Sequence, residues 1–460
     1  VSNQLRRNLT ERLLVIGGGA AGMSAASAAR RTDPDLPITV LESGPYSSYG
    51  VCGIPYYLAG VVANAASLIA HPPSEFIERR RIDLRHGVEA VALDLDQRTL
   101  QTSDGETLDF STLVYAAGAE PIVPPTARTR DPRVVTVRSL ADAMVLRARL
   151  PEVARAVVVG AGYVGLEVAD SLAQRGVSTT VVDRLPRVMP TLDEVIAERV
   201  EAEVRKHVEL DLGSGLRALQ LRTDAVVVEL DDHELAADLV VLALGVRPRT
   251  GLLADAGLAT TQEGALLVNA RMQTSHAGVL AAGDSVAHHH RVLDAPAYVP
   301  LGPAANKTGR VAGTVAAGGD ATFAGVVGTA VVKVFDLEVA HTGLSLEQAM
   351  AAGLDAVATD VTAMSRAKYY PDSAALHVRL VHERSRRVLG AQIVGTDGAA
   401  KRIDVVAAAL HFGSFIDDLA GFDLAYAPPF SPVYDPITQV AQAAQREANR
   451  PSAVLGRVGR

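Results

Sequence analysis

One pattern occurs twice in this chain and limits its fold more than any other feature. Residues 12–16, Arg-Leu-Leu-Val-Ile, read as a buried parallel strand that runs into Gly17-Gly18-Gly19-Ala20-Ala21-Gly22 and then an alanine-rich helix to about Arg31. The next strand, residues 38–41, ends at Glu42. Val157-Val158-Val159 opens a second copy: Gly160-Ala161-Gly162-Tyr163-Val164-Gly165, a helix carrying Glu167, and a strand over residues 179–182 ending at Asp183. Strand, GxGxxG, helix, strand and acid together form a dinucleotide-binding turn. The glycines let the backbone approach a pyrophosphate seated on the helix N-terminus, and the acid takes a ribose hydroxyl. The expected fold is α/β, with two Rossmann-like dinucleotide-binding domains.

Two complete sites imply two nucleotides bound at once, and flavin plus nicotinamide is the common pairing. Asp183 favours a free 2′-hydroxyl, hence NADH, while Arg184 and Arg187 follow directly and suit the 2′-phosphate of NADPH. Two further buried strands end on glycine, residues 113–118 at Gly118 and 239–245 at Gly245. Residues 79–110 alternate in short strands with turn signals such as Ser103-Asp104-Gly105. From residue 323 onward the texture becomes mixed α+β.

Between the two loops lies Ser47-Ser48-Tyr49-Gly50-Val51-Cys52-Gly53-Ile54-Pro55-Tyr56-Tyr57, which holds the only cysteine of the 460 residues. Pro55 suits the first turn of a short helix. Cys52 at that helix's N-terminus is expected to favour the thiolate, the form that attacks disulfides and peroxides. Residue types alone leave a second reading, a small buried apolar residue. With one cysteine no intrachain disulfide forms, so the chemistry of dithiol reductases is excluded. An oxidised Cys52 has to be a mixed disulfide with an outside thiol, a sulfenic acid or a persulfide.

Composition sets the remaining bounds. Hydrophobic content of 48% is ample for two or three cores, and the net charge of −8 argues against a nucleic-acid partner. No apolar run is long enough to span a bilayer. The N-terminus lacks the order of a signal peptide, so a soluble cytoplasmic protein is expected. His288-His289-His290 cannot all reach one ion from a regular element, and a solvated loop is expected there rather than a metal site.

The segment Thr274–Asp284, closing on Ala282-Gly283-Asp284, completes a resemblance to the pyridine nucleotide–disulfide oxidoreductases that covers essentially the whole chain. The resemblance implies FAD, NADH or NADPH, and a discontinuous order. An FAD domain at 1–121 and 240–322 would enclose an NAD(P)H domain at 122–239, with a dimerisation domain at 323–460 and a homodimer as the product. It implies that Asp284, after Gly283, bonds the flavin ribityl chain.

Ser48-Tyr49-Gly50-Val51-Cys52 is similar to the Ser-Phe-x-x-Cys motif of the single-cysteine branch, which holds coenzyme A-disulfide reductases, NADH oxidases and NADH peroxidases. The resemblance implies Tyr369 and, reaching across the dimer, Tyr426 as catalytic partners of Cys52. It implies Arg30 and Arg31 for coenzyme A phosphates, and it extends to Lys401 and Arg402 in the KRIDV segment. On residue types alone these tyrosines read as buried core residues and KRIDV as a salt-bridged helix. Ala20 replaces the histidine of the oxidases and peroxidases, which points away from peroxide and oxygen. Val51 replaces an asparagine common in the coenzyme A-disulfide reductases. The sequence ends at Arg460 without an added sulfurtransferase domain, which leaves persulfide reduction unsupported at this stage.

Overall fold

The computed structural model describes residues 12–449. The two ends, on which the reading of the termini rests, lie outside the described residues. The chain divides into two compact units. One holds residues up to Pro186, Val208–His290 and Asp294–Val326; the other holds Arg187–His207, Arg291–Leu293 and the chain from Val327 on.

The first unit contains both nucleotide sheets. In one, five parallel strands run in the order Val279–Ala281, Thr112–Tyr115, Leu13–Ile16, Ile38–Glu42, Asp83–His86. Leu13, Leu14 and Val15 are fully buried, as a strand covered on both faces requires. The second sheet is also parallel, in the order Glu209–Leu212, Ser178–Asp183, Arg155–Val159, Leu239–Leu242, Val134–Val135. The first glycine loop leads into the helix Ala20–Thr32 and the second into Tyr163–Gln174. A long helix, Gly302–Ala316, crosses Ala20–Thr32 at a distance only glycine allows. A Cβ at Gly309 would stand 2.2 Å from the Ala21 carbonyl oxygen, and one at Gly313 1.9 Å from that of Ala25. The turn-rich stretch is an antiparallel three-stranded sheet, Ala90–Asp94, Thr99–Thr102 and Thr107–Asp109.

The second unit is a five-stranded antiparallel sheet in the order Ala330–Val334, Leu337–Gly343, Val388–Gly395, Ala375–Glu383, Ala356–Met364. Helices Ala399–Phe412 and Pro436–Ala448 bury Ile403, Val406, Ile437 and Val440 in its core. Residues 187–207 belong to this unit, fastened by buried Asp193. Its carboxylate pairs with Arg379 at 2.9 Å and accepts from the Leu346 N–H at 3.0 Å, while its own N–H donates to Gln392.

The histidine run corrects the loop expectation. It forms the strand Val286–His290, and alternation turns His288 and His290 inward, 1% and 4% exposed, with His289 outward. Burial pushes the pKa of both inward rings down to about 4.

Candidate active site

The two glycine loops repeat each other atom for atom. Gly17 has φ +103° and Gly160 φ +115°; a Cβ would stand 2.2 Å from the Ala116 oxygen in the first and 2.3 Å from the Ala243 oxygen in the second. A Cβ at Gly22 would stand 1.8 Å from the Gly17 oxygen, and one at Gly165 the same distance from that of Gly160. These four glycines are required by the protein's own packing. The middle glycines, Gly19 and Gly162, are different, because a Cβ on either meets no atom within 4 Å. Each caps a helix N-terminus and leaves an open cradle beside it, which fits a pyrophosphate.

The acids repeat as well. Glu42 accepts from the N–H groups of Gly18 and Gly44, both at 2.7 Å. Asp183 accepts from Ala161 at 2.8 Å and Leu185 at 2.9 Å. Each acid is thereby held at the mouth of its own loop. Of the two arginines after Asp183, Arg184 is exposed and Arg187 is engaged by Glu347 at 2.6 Å.

A cleft of about 1060 Å³ starts at the first loop and runs past Glu42, Ser48, Gly118 and Asp284 to Cys52. Ser48 is held at φ +51°, an uncommon conformation for serine, by its N–H to the Gly18 carbonyl and by the Ala70 N–H to its own. The turn at Gly118, φ +74°, is joined to that of Asp284 through Ser285, whose hydroxyl accepts from Gly118 N–H and donates to its carbonyl. Gly283 has φ +75°; a Cβ there would stand 2.7 Å from Ala21. Gly245, φ +94°, follows the strand Leu239–Leu242 of the second sheet.

Cys52 is exposed, in the single turn Val51–Gly53 just before the short helix Ile54–Ala59. The buried apolar reading is thereby overturned. The expectation of a favoured thiolate is corrected too. Surrounding protein, Glu167 and Asp284 all push the thiol's pKa up, and only Arg138 among the nearby charges opposes them. A six-residue helix contributes too little to offset two carboxylates. Glu167 is itself pushed up to about 7, by burial and then by Asp170.

Arg138 had no motif to mark it. Its guanidinium pairs with Asp284 at 3.2 Å and donates to the Ala119 carbonyl. Nearby, the Tyr298 hydroxyl is buried with no hydrogen-bond partner among the described residues, and burial and Asp284 together disfavour its ionisation. An orphaned hydroxyl beside Asp284 is what a polar ligand chain there would satisfy.

The basic pair separates. Arg30 spends its guanidinium on the carbonyls of Arg80, Arg81 and Pro34, so it is a structural brace. Arg31 is exposed and lines the cleft, together with Arg80, Asn306 and Arg310, none of them marked by the sequence reading. In the second unit Arg402 is also a brace, 12% exposed and bound to Asp435 and to the Ser365 and Phe430 carbonyls. Lys401 is exposed and pairs with Asp404. Tyr369 and Tyr426 are not core residues, being 78% and 48% exposed. Within one chain Tyr369 lies close enough to Tyr426 to push its pKa up.

Residues 11–309 match the family described as pyridine nucleotide-disulphide oxidoreductase, and residues 329–436 match that family's dimerisation domain. The chain belongs to this family. A pyridine nucleotide–disulphide oxidoreductase uses FAD and NAD(P)H, and the two cradles described above fit these two dinucleotides.

The chain is 36% identical over 440 residues to the NAD(P)H coenzyme A polysulfide/persulfide reductase of Pyrococcus horikoshii, covering 95% of this chain and 98% of that one. This chain thus spans a relative named for persulfides almost end to end. The NADH oxidase of Methanocaldococcus jannaschii is 32% identical over 446 residues, covering 95% and 99%. The solved NAD-dependent persulfide reductase from A. fulgidus superposes with a TM-score of 0.92 at 37% identity, over 95% of this chain and 83% of that one. Among the described residues no helix is long and apolar enough to cross a membrane.

Proposed function

We propose that this flavoprotein reduces coenzyme A disulfide, or a related small disulfide or persulfide, with NAD(P)H through Cys52. The observation that carries the reading is an exposed single cysteine in the same cleft as a dinucleotide cradle, with Arg31 and Arg310 along that cleft to take a phosphate-bearing thiol.

FAD, when bound, supplies the two-electron relay between nicotinamide and sulfur. Gly19 and Gly162 open space for the two pyrophosphates, and Glu42 and Asp183 take ribose hydroxyls. Asp284, turned into the cleft and paired with Arg138, holds the ribityl chain. Cys52 Sγ attacks one sulfur of the substrate disulfide. That S–S bond breaks, a mixed disulfide forms on Cys52, and the first thiol leaves. Its sulfur takes a proton from the Tyr369–Tyr426 pair of the partner subunit in a homodimer. Two electrons and a proton then break the mixed disulfide, freeing the second thiol and Cys52. Overall, one disulfide, one NAD(P)H and one proton give two thiols and NAD(P)+. With the surrounding protein, then Glu167 and Asp284, against the thiolate, the attack runs faster toward alkaline pH. A reducing cytoplasm is the compartment that supplies such thiols.

An NADH oxidase reading has the Methanocaldococcus relative's name in its favour. Ala20, which lines the cleft where oxidases of the branch place histidine, stands against it. A screen of coenzyme A disulfide, other small disulfides, polysulfide and oxygen with NADH and NADPH tests the proposal. Coenzyme A disulfide or polysulfide should be turned over far faster than oxygen; oxygen as the best acceptor would overturn the reading.

A further inference from the structure

The redox helix Ile54–Ala59 is short, and its last carbonyls have no partners within the helix. Three side chains from elsewhere hold it. Ser171 and Arg175 come from the nicotinamide helix Tyr163–Gln174 and its end. The Ser171 hydroxyl lies 2.8 Å from the Pro55 carbonyl and 2.7 Å from that of Glu167, sharing its proton between the two helices. Arg175 Nε donates to the Leu58 carbonyl at 3.0 Å. Its guanidinium fills the space beside Gly60, where a Cβ would stand 2.3 Å from Nη2. From the other side Arg147, on helix Leu140–Arg149, donates to the Tyr57 and Val62 carbonyls and stacks over the Tyr57 ring at 4.2 Å.

One helix thus has three jobs along its length. Its N-terminus opens the Gly162 cradle, its second turn carries Glu167 toward Cys52, and its last turns grip the helix that begins just after Cys52. We propose that Ser171 and Arg175 are positioning residues that couple nicotinamide-nucleotide binding to the order of the redox helix, so that a seated nucleotide stiffens the segment presenting Cys52. The coupling runs through ordering and needs no change of fold: whatever quiets the nicotinamide helix quiets the helix bonded to it. It rests on reading Gly160–Gly165 as the nicotinamide loop.

Amide hydrogen exchange over residues 54–60 of the oxidised FAD holoenzyme, treated with a thiol reductant and desalted, tests this with saturating NAD+ or NADP+, neither of which reduces the flavin. In the parent protein the bound nucleotide should slow exchange about fivefold, the low end of couplings between sites. The double variant Ser171→Ala/Arg175→Met should still bind the nucleotide, with an affinity by calorimetry within about fivefold of the parent's as reciprocity requires, and lose that slowing. Arg147→Met should raise exchange with and without nucleotide but keep the fold effect, because its tether does not come from the nucleotide helix. The alkylation rate of Cys52 should follow the same pattern. Slowing that persists in the double variant is direct shielding and overturns the proposal, as does its absence in the parent protein. Failure of both nucleotides to bind refutes the nicotinamide reading itself; binding without coupling refutes only this inference.

Discussion

Gly162→Ala separates a phosphate cradle from a mere turn. Gly162 has φ −82° and ψ −169°, extended backbone that alanine adopts freely, and a Cβ there meets nothing within 4 Å. The substitution should therefore leave stability unchanged or raise it by up to about 1 kcal/mol, since alanine narrows the unfolded ensemble. The new methyl stands where the nucleotide backbone would make its closest approach. Overpacking by one such group costs about 1–3 kcal/mol, which is about 5- to 150-fold in Kd. Anaerobic titration with NADH, read beside thermal melting and flavin content, should show weaker binding, an unchanged melt and full flavin. Gly165→Ala should behave in the opposite way: its Cβ would lie 1.8 Å from the Gly160 oxygen, so the loop itself has to shift and the melt should fall. Gly162→Ala that binds NADH like the parent while melting lower would refute the cradle.

Glu42→Ala removes the acceptor of two 2.7 Å bonds from the first loop and should lower the flavin retained on purification, measured as the ratio of flavin to protein absorbance. Asp183 should make NADH reduce the flavin at least as fast as NADPH in stopped flow, because Arg187 is occupied by Glu347; a large NADPH advantage would show that the arginines dominate. His288 and His290 are buried with pKa values of about 4 against 6.5 when exposed. Between those values the unfolded chain binds protons that the folded chain does not. Stability should thus fall as pH drops from 6.5 toward 4, by up to about 1.4 kcal/mol per pH unit for each ring. Urea midpoints that stay flat from pH 7 to pH 5 would contradict the burial of these rings.

The parts of the site that were legible in the sequence are those fixed by local backbone chemistry. A glycine forced by φ +103° at Gly17 or by a 1.8 Å approach at Gly22 leaves its mark at that position, and the acid follows one helix and one strand later. What was not legible depends on direction or on distant partners. Arg30 and Arg31 are adjacent on a helix, so their side chains diverge by about 100° and only one faces the cleft. The sequence shows the pair but not which one carbonyls consume. Arg138 meets Asp284 from 146 residues away, and Arg402 reaches the Phe430 carbonyl from 28 residues away. The favoured thiolate expected of Cys52 rests on its own short helix; the surrounding protein, then Glu167 and Asp284 from other elements, push its pKa up instead. Three identical histidines show no alternation in residue type, so the strand that turns His288 and His290 inward was not legible from them.

In the proposed mechanism electrons leave through Cys52. Turnover of coenzyme A disulfide by Cys52→Ser, with anaerobic bleaching of the flavin by NADH as the internal control, tests that most directly. Bleaching should proceed as in the parent, because hydride transfer needs only the two nucleotide sites, while disulfide reduction should be abolished, because serine is a far poorer nucleophile and cannot hold a mixed disulfide. The parent protein as isolated should carry a mass adduct on Cys52, with coenzyme A the favoured mass, released by NADH. Full disulfide turnover by Cys52→Ser would contradict the account, leaving Cys52 a bystander and the protein a cysteine-independent reductase.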